Sequence, residues 1–264
     1  LRVKHGAARG VPIENGDDFM AQMGGSSARG KNTFEVLVKN EKRKSDKSIL
    51  LNEVEASSGY YCLHIGLNKS AQDIDLQNAN LWVYPGYDHD ENLENYLSDN
   101  RQPYPVVFIS FPSAKDPSWD KNHPNSATIE VITVAEFSKH KKWADKQWKK
   151  RGNEYESHKE NISQSLLESL YKHSPNTKGH VDYYELSTPL TSRDLANYKE
   201  GELYGINHTP RRFQQKWLKP QTHIKNLYLT GQDIVTAGVS AAMMSGVITS
   251  SAILKKNLMK QFLH

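Results

Sequence analysis

The chain has 264 residues, 37% of them apolar, which is enough for one large domain or two interleaved ones, and its single cysteine excludes an internal disulfide. Its 34 basic and 30 acidic side chains leave a net charge of +4, too balanced to support nucleic-acid binding. No HExxH, paired-histidine, GxSxG or Walker pattern occurs, so the spacing supports no metal centre, serine nucleophile or phosphate loop.

In chain order, Val11-Pro12-Ile13-Glu14-Asn15-Gly16-Asp17-Asp18-Phe19-Met20 predicts two short strands about an Asn-Gly turn. Gly24-Gly25-Ser26-Ser27-Ala28-Arg29-Gly30 approaches a dinucleotide-binding turn, but its spacing is wrong and no convincing strand precedes it. The charge run at 39–47 is read as a solvated loop. Strands are expected at 60–66, 81–84, 105–111 and 128–135, where Val106, Phe108, Ile129, Val131 and Ile132 are apolar. Together they predict a mostly antiparallel sheet.

Two helices should cover it. Residues 138–149 carry Trp143 and Trp148 among lysines, and residues 153–173 place Ile162, Leu166, Leu167 and Leu170 on one face before a stop at Ser174-Pro175. A basic aromatic surface on the first could touch membrane headgroups, although packing of its tryptophans on the sheet is the simpler account. Cys62, within Tyr60-Tyr61-Cys62-Leu63-His64, is read as core packing. Asp88-His89-Asp90 is read as a loop-stabilising network rather than a cation site.

The most informative stretch is Asn226-Leu227-Tyr228-Leu229-Thr230-Gly231-Gln232-Asp233, followed by a run at 234–254 without one charged residue. It predicts a short apolar strand, a glycine turn bearing one carboxylate, and a helix opening near Gly238. A helix N-terminus offers free N–H groups and partial positive charge, which suit an electron-rich ligand. Asp233 is placed to accept hydrogen bonds from hydroxyls, as on the polyol chain of a flavin. The same pattern serves an ordinary core helix, with small residues at Gly238, Ala242, Gly246 and Ser250 allowing close approach. The uncharged run is about long enough to span a membrane, but its six Ser and Thr residues argue against that.

Gly231-Gln232-Asp233 with Thr236-Ala237-Gly238-Val239-Ser240-Ala241-Ala242 resembles the C-terminal flavin-binding segment of the retinol saturase, carotenoid isomerase and phytoene desaturase family. Ser187-Thr188-Pro189-Leu190-Thr191 and Gly201-Glu202-Leu203-Tyr204-Gly205-Ile206-Asn207-His208-Thr209-Pro210 resemble the stretch just upstream. Gly66-Leu67, Asn80-Leu81-Trp82-Val83-Tyr84-Pro85-Gly86-Tyr87-Asp88-His89-Asp90 and Phe111-Pro112-Ser113-Ala114-Lys115-Asp116-Pro117-Ser118-Trp119 are similar to the retinol saturase branch. The matches run in the family's order over roughly residues 8 to 256.

The resemblance implies an α/β fold of mixed α+β character. The chain would be the C-terminal half of a two-domain FAD-binding flavoprotein, with a glutathione-reductase-like nucleotide domain and a mostly antiparallel substrate domain. The family's N-terminal GxGxxG unit is absent from this sequence. The implied division is 1–40 as a remnant of the FAD-binding domain, 41–185 as the substrate-binding domain and 186–264 as the C-terminal FAD-binding segment. A missing N-terminal half is thus an expected partner.

The implied activity is flavin-dependent chemistry at C=C bonds of an apolar polyene or isoprenoid lipid. It would be a retinol 13,14-saturase-like reduction, or carotenoid isomerisation or desaturation. The segment after Gly231 is less rich in glycine and proline than in the desaturase branch, which favours saturase- or isomerase-like chemistry.

FAD is the implied cofactor, with NAD(P)H a candidate reductant. The implied cofactor-binding residues are Gly231, Gln232, Asp233, Gly238, Val239 and Ser240, with Asp233 holding the ribityl chain and the amides of 238–240 facing the N1/O2 edge of the ring. Gly201 and Gly205 would let the backbone pass close to that ring. His208 and Tyr204 are candidate proton donors, no metal is expected, and the strands at 106–111 and 129–134 would line an apolar substrate tunnel. The expected location is cytoplasmic or peripherally membrane-associated, at the endoplasmic reticulum if the source is eukaryotic. Two alternatives stand: a non-catalytic lipid- or partner-binding remnant, and a glycosylated luminal domain with sequons at Asn68, Asn161 and Asn207.

Overall fold

The structure is a computed structural model that describes residues 1–38, 53–99 and 101–262. The charge run at 39–47 lies outside the described residues. Four short strands come first: β1 (Arg2–Lys4), β2 (Ala7–Pro12), β3 (Asp18–Met20) and β4 (Gly24–Ser26), then a π-helical turn at Asn32–Leu37. After them come β5 (Gly59–Leu67), β6 (Leu81–Val83), α1 (His89–Ser98), β7 (Val107–Ser110) and β8 (Ala127–Ala135). The rest comprises a 3-10 run at Phe137–Trp143, α2 (Asn153–His173), β9 (Val181–Ser187), α3 (Pro189–Ala196), β10 (Leu227–Leu229) and α4 (Val239–Leu254). The chain forms two compact units, Ser58–Leu203 and a second made of Leu1–Ser57 with Tyr204–His264.

The unit Ser58–Leu203 is built on a five-stranded antiparallel sheet of order β6-β7-β8-β5-β9. Successive strand residues point to opposite faces. On β5, Tyr61, Leu63, Ile65 and Leu67 go inward, and on β8, Ala127, Ile129, Val131, Thr133 and Ala135 do the same. This face is closed by Ile162, Leu166, Leu167 and Leu170 of α2, which spans the residues its periodicity predicts. Glu154 and Glu156 in its first turn and Lys172 and His173 in its last complement the helix dipole. Ser174-Pro175 then leaves the α region, as a residue before proline must.

Two local expectations fail and one strand goes unforeseen, for identifiable reasons. Residues 138–149 form no α-helix. Phe137, His140 and Trp143 recur every third residue, the period of the 3-10 run they adopt, while an α-helix would stack Lys142, Lys146 and Lys150 at i, i+4. Trp143 is buried and Trp148 is half-exposed with the Lys149 ammonium over its ring, which leaves little of a basic aromatic surface. Cys62 belongs to the face of β5 opposite the core and is only half-buried. Strand β9 pairs with β5 where no strand was expected; as an edge strand it keeps Asp182, Tyr183 and Glu185 exposed and lacks an apolar run. Asp88 accepts a hydrogen bond from Glu91 N–H at 3.0 Å, so it caps α1.

Inside this unit His140 is fully buried. Its Nδ1–H donates to the Glu136 carbonyl at 2.9 Å, so Nε2 accepts from the Tyr61 hydroxyl at 3.2 Å. Burial pushes the imidazole pKa down from 6.5 to about 4. The folded state therefore disfavours the protonated form. The stabilisation is complete above pH 6.5 and is lost as pH falls toward 4, by on the order of 3 kcal/mol. Urea melts of the wild type and His140→Gln across this range should show a shallower acid loss in the variant; equal slopes would contradict the assignment.

The unit Leu1–Ser57 with Tyr204–His264 holds two small sheets. In the first, β2 pairs antiparallel with β1 and with β3, and β2–β3 is the hairpin expected around Asn15-Gly16, with Val11 opposite Phe19. In the second, β4 and β10 run parallel, Leu227 to Leu229 beside Gly24 to Ser26. Gly24 to Gly30 is thus a strand and turn entering the turn at Asn32–Leu37, with the strand formed by Gly24–Ser26 themselves, which the sequence did not show. Its partner in this parallel pair lies about two hundred residues away, so no local pattern announces the strand. Helix α4 is tied to β10 by hydroxyls: Thr249 donates to the Leu229 carbonyl at 3.0 Å, and Ser245 meets Thr230 at 3.4 Å. Among the described residues no helix is long and apolar enough to cross a membrane.

Candidate functional site

The candidate site lies within the unit containing β4, β10 and α4. Where β10 ends, Thr230 N–H still donates to the Ser26 carbonyl at 2.9 Å, so the two parallel strands leave the sheet together. Gly231 follows at φ +92°, a conformation that favours glycine, and the turn closes with Ile234 N–H on the Gly231 carbonyl at 3.1 Å. This reversal drives Asp233 inward until only 3% of it is exposed.

The buried carboxylate is met by backbone. Its Oδ2 accepts from Gly30 N–H at 2.8 Å, and its Oδ1 from Ile206 N–H at a longer 3.4 Å. Gly205 is what allows that approach: a Cβ there would stand 2.5 Å from Oδ1, at φ +70°. The partner turn is held in its own right, since Thr33 donates through both its amide and its hydroxyl to the Arg29 carbonyl, and its Oγ1 lies 2.7 Å from Ser26 Oγ. Gly201, at φ +65°, stands against Pro189, whose carbonyl oxygen a Cβ would meet at 2.2 Å.

Arg212 completes the arrangement, and sequence reasoning missed it. Thr209 caps the short helix Pro210–Phe213 by accepting from Arg212 N–H at 3.3 Å. From there the guanidinium, 2% exposed, donates through Nη2 to the carbonyls of Gln232, Asp233 and Val235 at 2.8, 3.1 and 3.1 Å. Its Nη1 is buried with no protein partner among the described residues. Burial pushes the guanidinium pKa down and Asp233 opposes the shift. The only local signal for this clamp is a Thr-Pro helix start, which says nothing about where the arginine reaches.

His208 is brought to the same turn. Its Nε2 accepts from Ala237 N–H at 2.7 Å, which requires a neutral ring with the proton on Nδ1. Burial, with a further contribution from Arg212, lowers its pKa, and Asp233 partly opposes this. Tyr204 is half-exposed and its N–H donates to Ser57 Oγ at 2.9 Å. Helix α4 then opens at Gly238, at φ +103°, with no side chain capping it and open space where a Cβ would lie. Val239 and Ser240 are exposed at this end, so their amides face outward from the helix terminus.

The two glycines of this unit differ in what they permit. Gly205→Ala should cost at least about 1 kcal/mol in urea unfolding, since it adds a Cβ against Asp233 at a positive φ. Gly246→Ala, in the middle of α4 with nothing within 4 Å, should leave stability unchanged or raise it by up to about 1 kcal/mol. A neutral Gly205→Ala would show that the carboxylate is not locked there.

In fold, the chain resembles an oxidoreductase from Methanosarcina mazei, with a TM-score of 0.52 and 11% identity over 97% of this chain and 48% of that one. That likeness is one of fold, mixed α/β with antiparallel sheets. No family model matches the chain. In sequence it is 31% identical to the all-trans-retinol 13,14-reductase of Homo sapiens, over 96% of this chain and 43% of the relative. It is 25% identical to the chloroplastic prolycopene isomerase of Arabidopsis thaliana, over 94% of this chain and 39% of the relative. The chain is a homologue of the all-trans-retinol 13,14-reductases and, more distantly, of the prolycopene isomerases, and it spans about two-fifths of the length of these relatives. The resemblance read from the Gly231 segment and the stretches upstream is borne out.

Proposed function

We propose that this chain is part of a flavin-dependent oxidoreductase acting on C=C bonds of an apolar polyene or isoprenoid. The observation that carries the proposal is the buried Asp233 carboxylate, fixed by Gly30 and Ile206 and backed by Arg212, immediately before the open N-terminus of α4. The residues present fit a flavin. Glycines at 24, 25 and 238 leave open space where side chains would otherwise project, the helix end is uncapped, and a buried Arg212 nitrogen has no hydrogen-bond partner among the described residues.

A bound flavin would supply hydride exchange with carbon, or reduced-state catalysis of a redox-neutral isomerisation. The protein's contribution is placement and charge. The amides of Gly238, Val239 and Ser240, with the positive end of α4, would stabilise negative charge on the electron-rich edge of the ring. Gly231 and Gln232 would let the cofactor chain pass, and Asp233 keeps lone pairs for a ribityl hydroxyl beyond its two amide bonds.

His208 is better suited to holding the turn than to donating a proton from Nε2, because that nitrogen already accepts from Ala237. Tyr204 stays a second candidate donor on its exposure alone. The flavin role falls to Leu1–Ser57 with Tyr204–His264, and the substrate role to Ser58–Leu203. In the latter, the sheet face away from α2 presents Tyr60, Phe108, Ile132 and Val134 half-buried beside an exposed Trp82, an apolar strip for a long hydrocarbon. Saturation would draw on an external reductant such as NAD(P)H, and an apolar substrate would be collected at a membrane surface.

A second reading, a non-catalytic partner-binding piece, is favoured by α4 itself. Its Val239, Met243 and Leu254 are 89%, 68% and 58% exposed, an apolar surface suited to burial against further protein. Titration of the purified chain with FAD, followed by desalting and a visible spectrum, separates the two. Retained flavin absorbance that Asp233→Ala reduces at least tenfold supports a flavin site in this chain. Loss of all flavin from the wild type would favour the second reading.

A further inference from the structure

Sequence spacing supports no metal centre, yet the fold assembles a set of donors on the open face of the Ser58–Leu203 sheet. Cys62 and His64 are two apart on β5 and so share a face, and β8 places Glu130 directly opposite His64. Cys62 Sγ lies 3.8 Å from His64 Nδ1, Glu130 Oε1 lies 3.6 Å from the same nitrogen, and all three donor atoms fall within 4.8 Å of one another. A tetrahedral zinc ion with Zn–S near 2.3 Å and Zn–N near 2.0–2.1 Å requires S···N of about 3.6 Å and N···O of about 3.3 Å. Two edges of that tetrahedron are therefore nearly in place without an ion, and a small swing of the half-exposed Glu130 side chain closes the third.

The surroundings prepare the ligand atoms. His64 Nε2 lies 3.2 Å from Ser187 Oγ on β9; a proton on Nε2 donated to that hydroxyl leaves the Nδ1 lone pair facing Cys62 and Glu130. The other carboxylate opposite His64, Glu185, already accepts from the Tyr183 hydroxyl at 2.8 Å and faces Lys159 at 3.9 Å, which leaves Glu130 as the third donor. The side chains of His64 and Glu130 are 49% and 41% exposed, so a solvated ion has access and keeps a water as fourth ligand.

We infer that Cys62, His64 and Glu130 form a binding site for a divalent cation of borderline softness, Zn2+ in the first instance. The sulfur and imidazole donors disfavour Mg2+ and Ca2+. On binding, the S–H bond of Cys62 is broken, an S–Zn bond forms, and one proton passes to solvent, with no change of oxidation state. The site does not depend on the flavin reading.

Anaerobic titration of the full chain with Co2+ tests it, because the chain has a single cysteine and any thiolate-to-cobalt charge-transfer band reports Cys62. The expected result is a saturable band at one Co2+ per chain, displaced by Zn2+, abolished in Cys62→Ser and shifted at least tenfold to weaker binding in His64→Gln and in Glu130→Gln. These side chains lie on the sheet face away from the core, and far-ultraviolet circular dichroism checks that each variant is folded. No band in the wild type would overturn the site. So would a band of unchanged affinity in both the His64 and Glu130 variants, which would mark a thiol acting alone, or half an equivalent of metal in a chain dimer.

Discussion

A carboxylate taken out of water is costly unless hydrogen bonds and charge replace its hydration. In this chain Asp233 is such a group, and the geometry of its half of the molecule follows from how it is satisfied. Gly30 and Ile206 turn their amides toward it, Gly205 gives up a side chain to let it in, and Arg212 holds the carbonyls of the turn that carries it. Segments distant in sequence are thereby fixed around the point where β10 gives way to α4. The helix end that results is open, uncapped and flanked by glycine.

The other unit is governed by a sheet with two unlike faces. One face is closed by the leucines of α2 and forms the larger core. The other stays partly open and divides into an apolar strip around Phe108 and Ile132 and a polar corner of Cys62, His64 and Glu130. Strand pairing sets both: a shift of one residue between β5 and β8 would separate Glu130 from His64 and turn the core residues outward.

Legibility in the sequence followed the range of the interactions. Helix α2 was readable from end to end because its leucines keep a 3.6 period and a proline follows its end, and the β2–β3 hairpin because Asn-Gly has one dominant use between alternating strands. Four of the five strands of the large sheet were readable from their apolar content. The edge strand β9 was not, since exposure on one side removes the pattern, and residues 138–149 misled because Trp143 and Trp148 among lysines were read as an α-helix while the three-residue period of Phe137, His140 and Trp143 was not used. At the candidate site, Gly231, Asp233 and Gly238 stood out as a turn and helix start. Gly205 was placed beside them only through the resemblance, and Gly30 and Arg212 could not be joined to them, because only the fold brings positions 30 and 212 against position 233.

The Asp233 carboxylate locks the turn of Gly30, and amide hydrogen exchange measures this directly. In the wild type the Gly30 N–H should be protected, and Asp233→Asn should speed its exchange at least tenfold, or about 1.4 kcal/mol, with amides in α2 unchanged. Equal exchange at Gly30 in both proteins would show that the carboxylate does not hold that turn and that Asp233 does not organise the site.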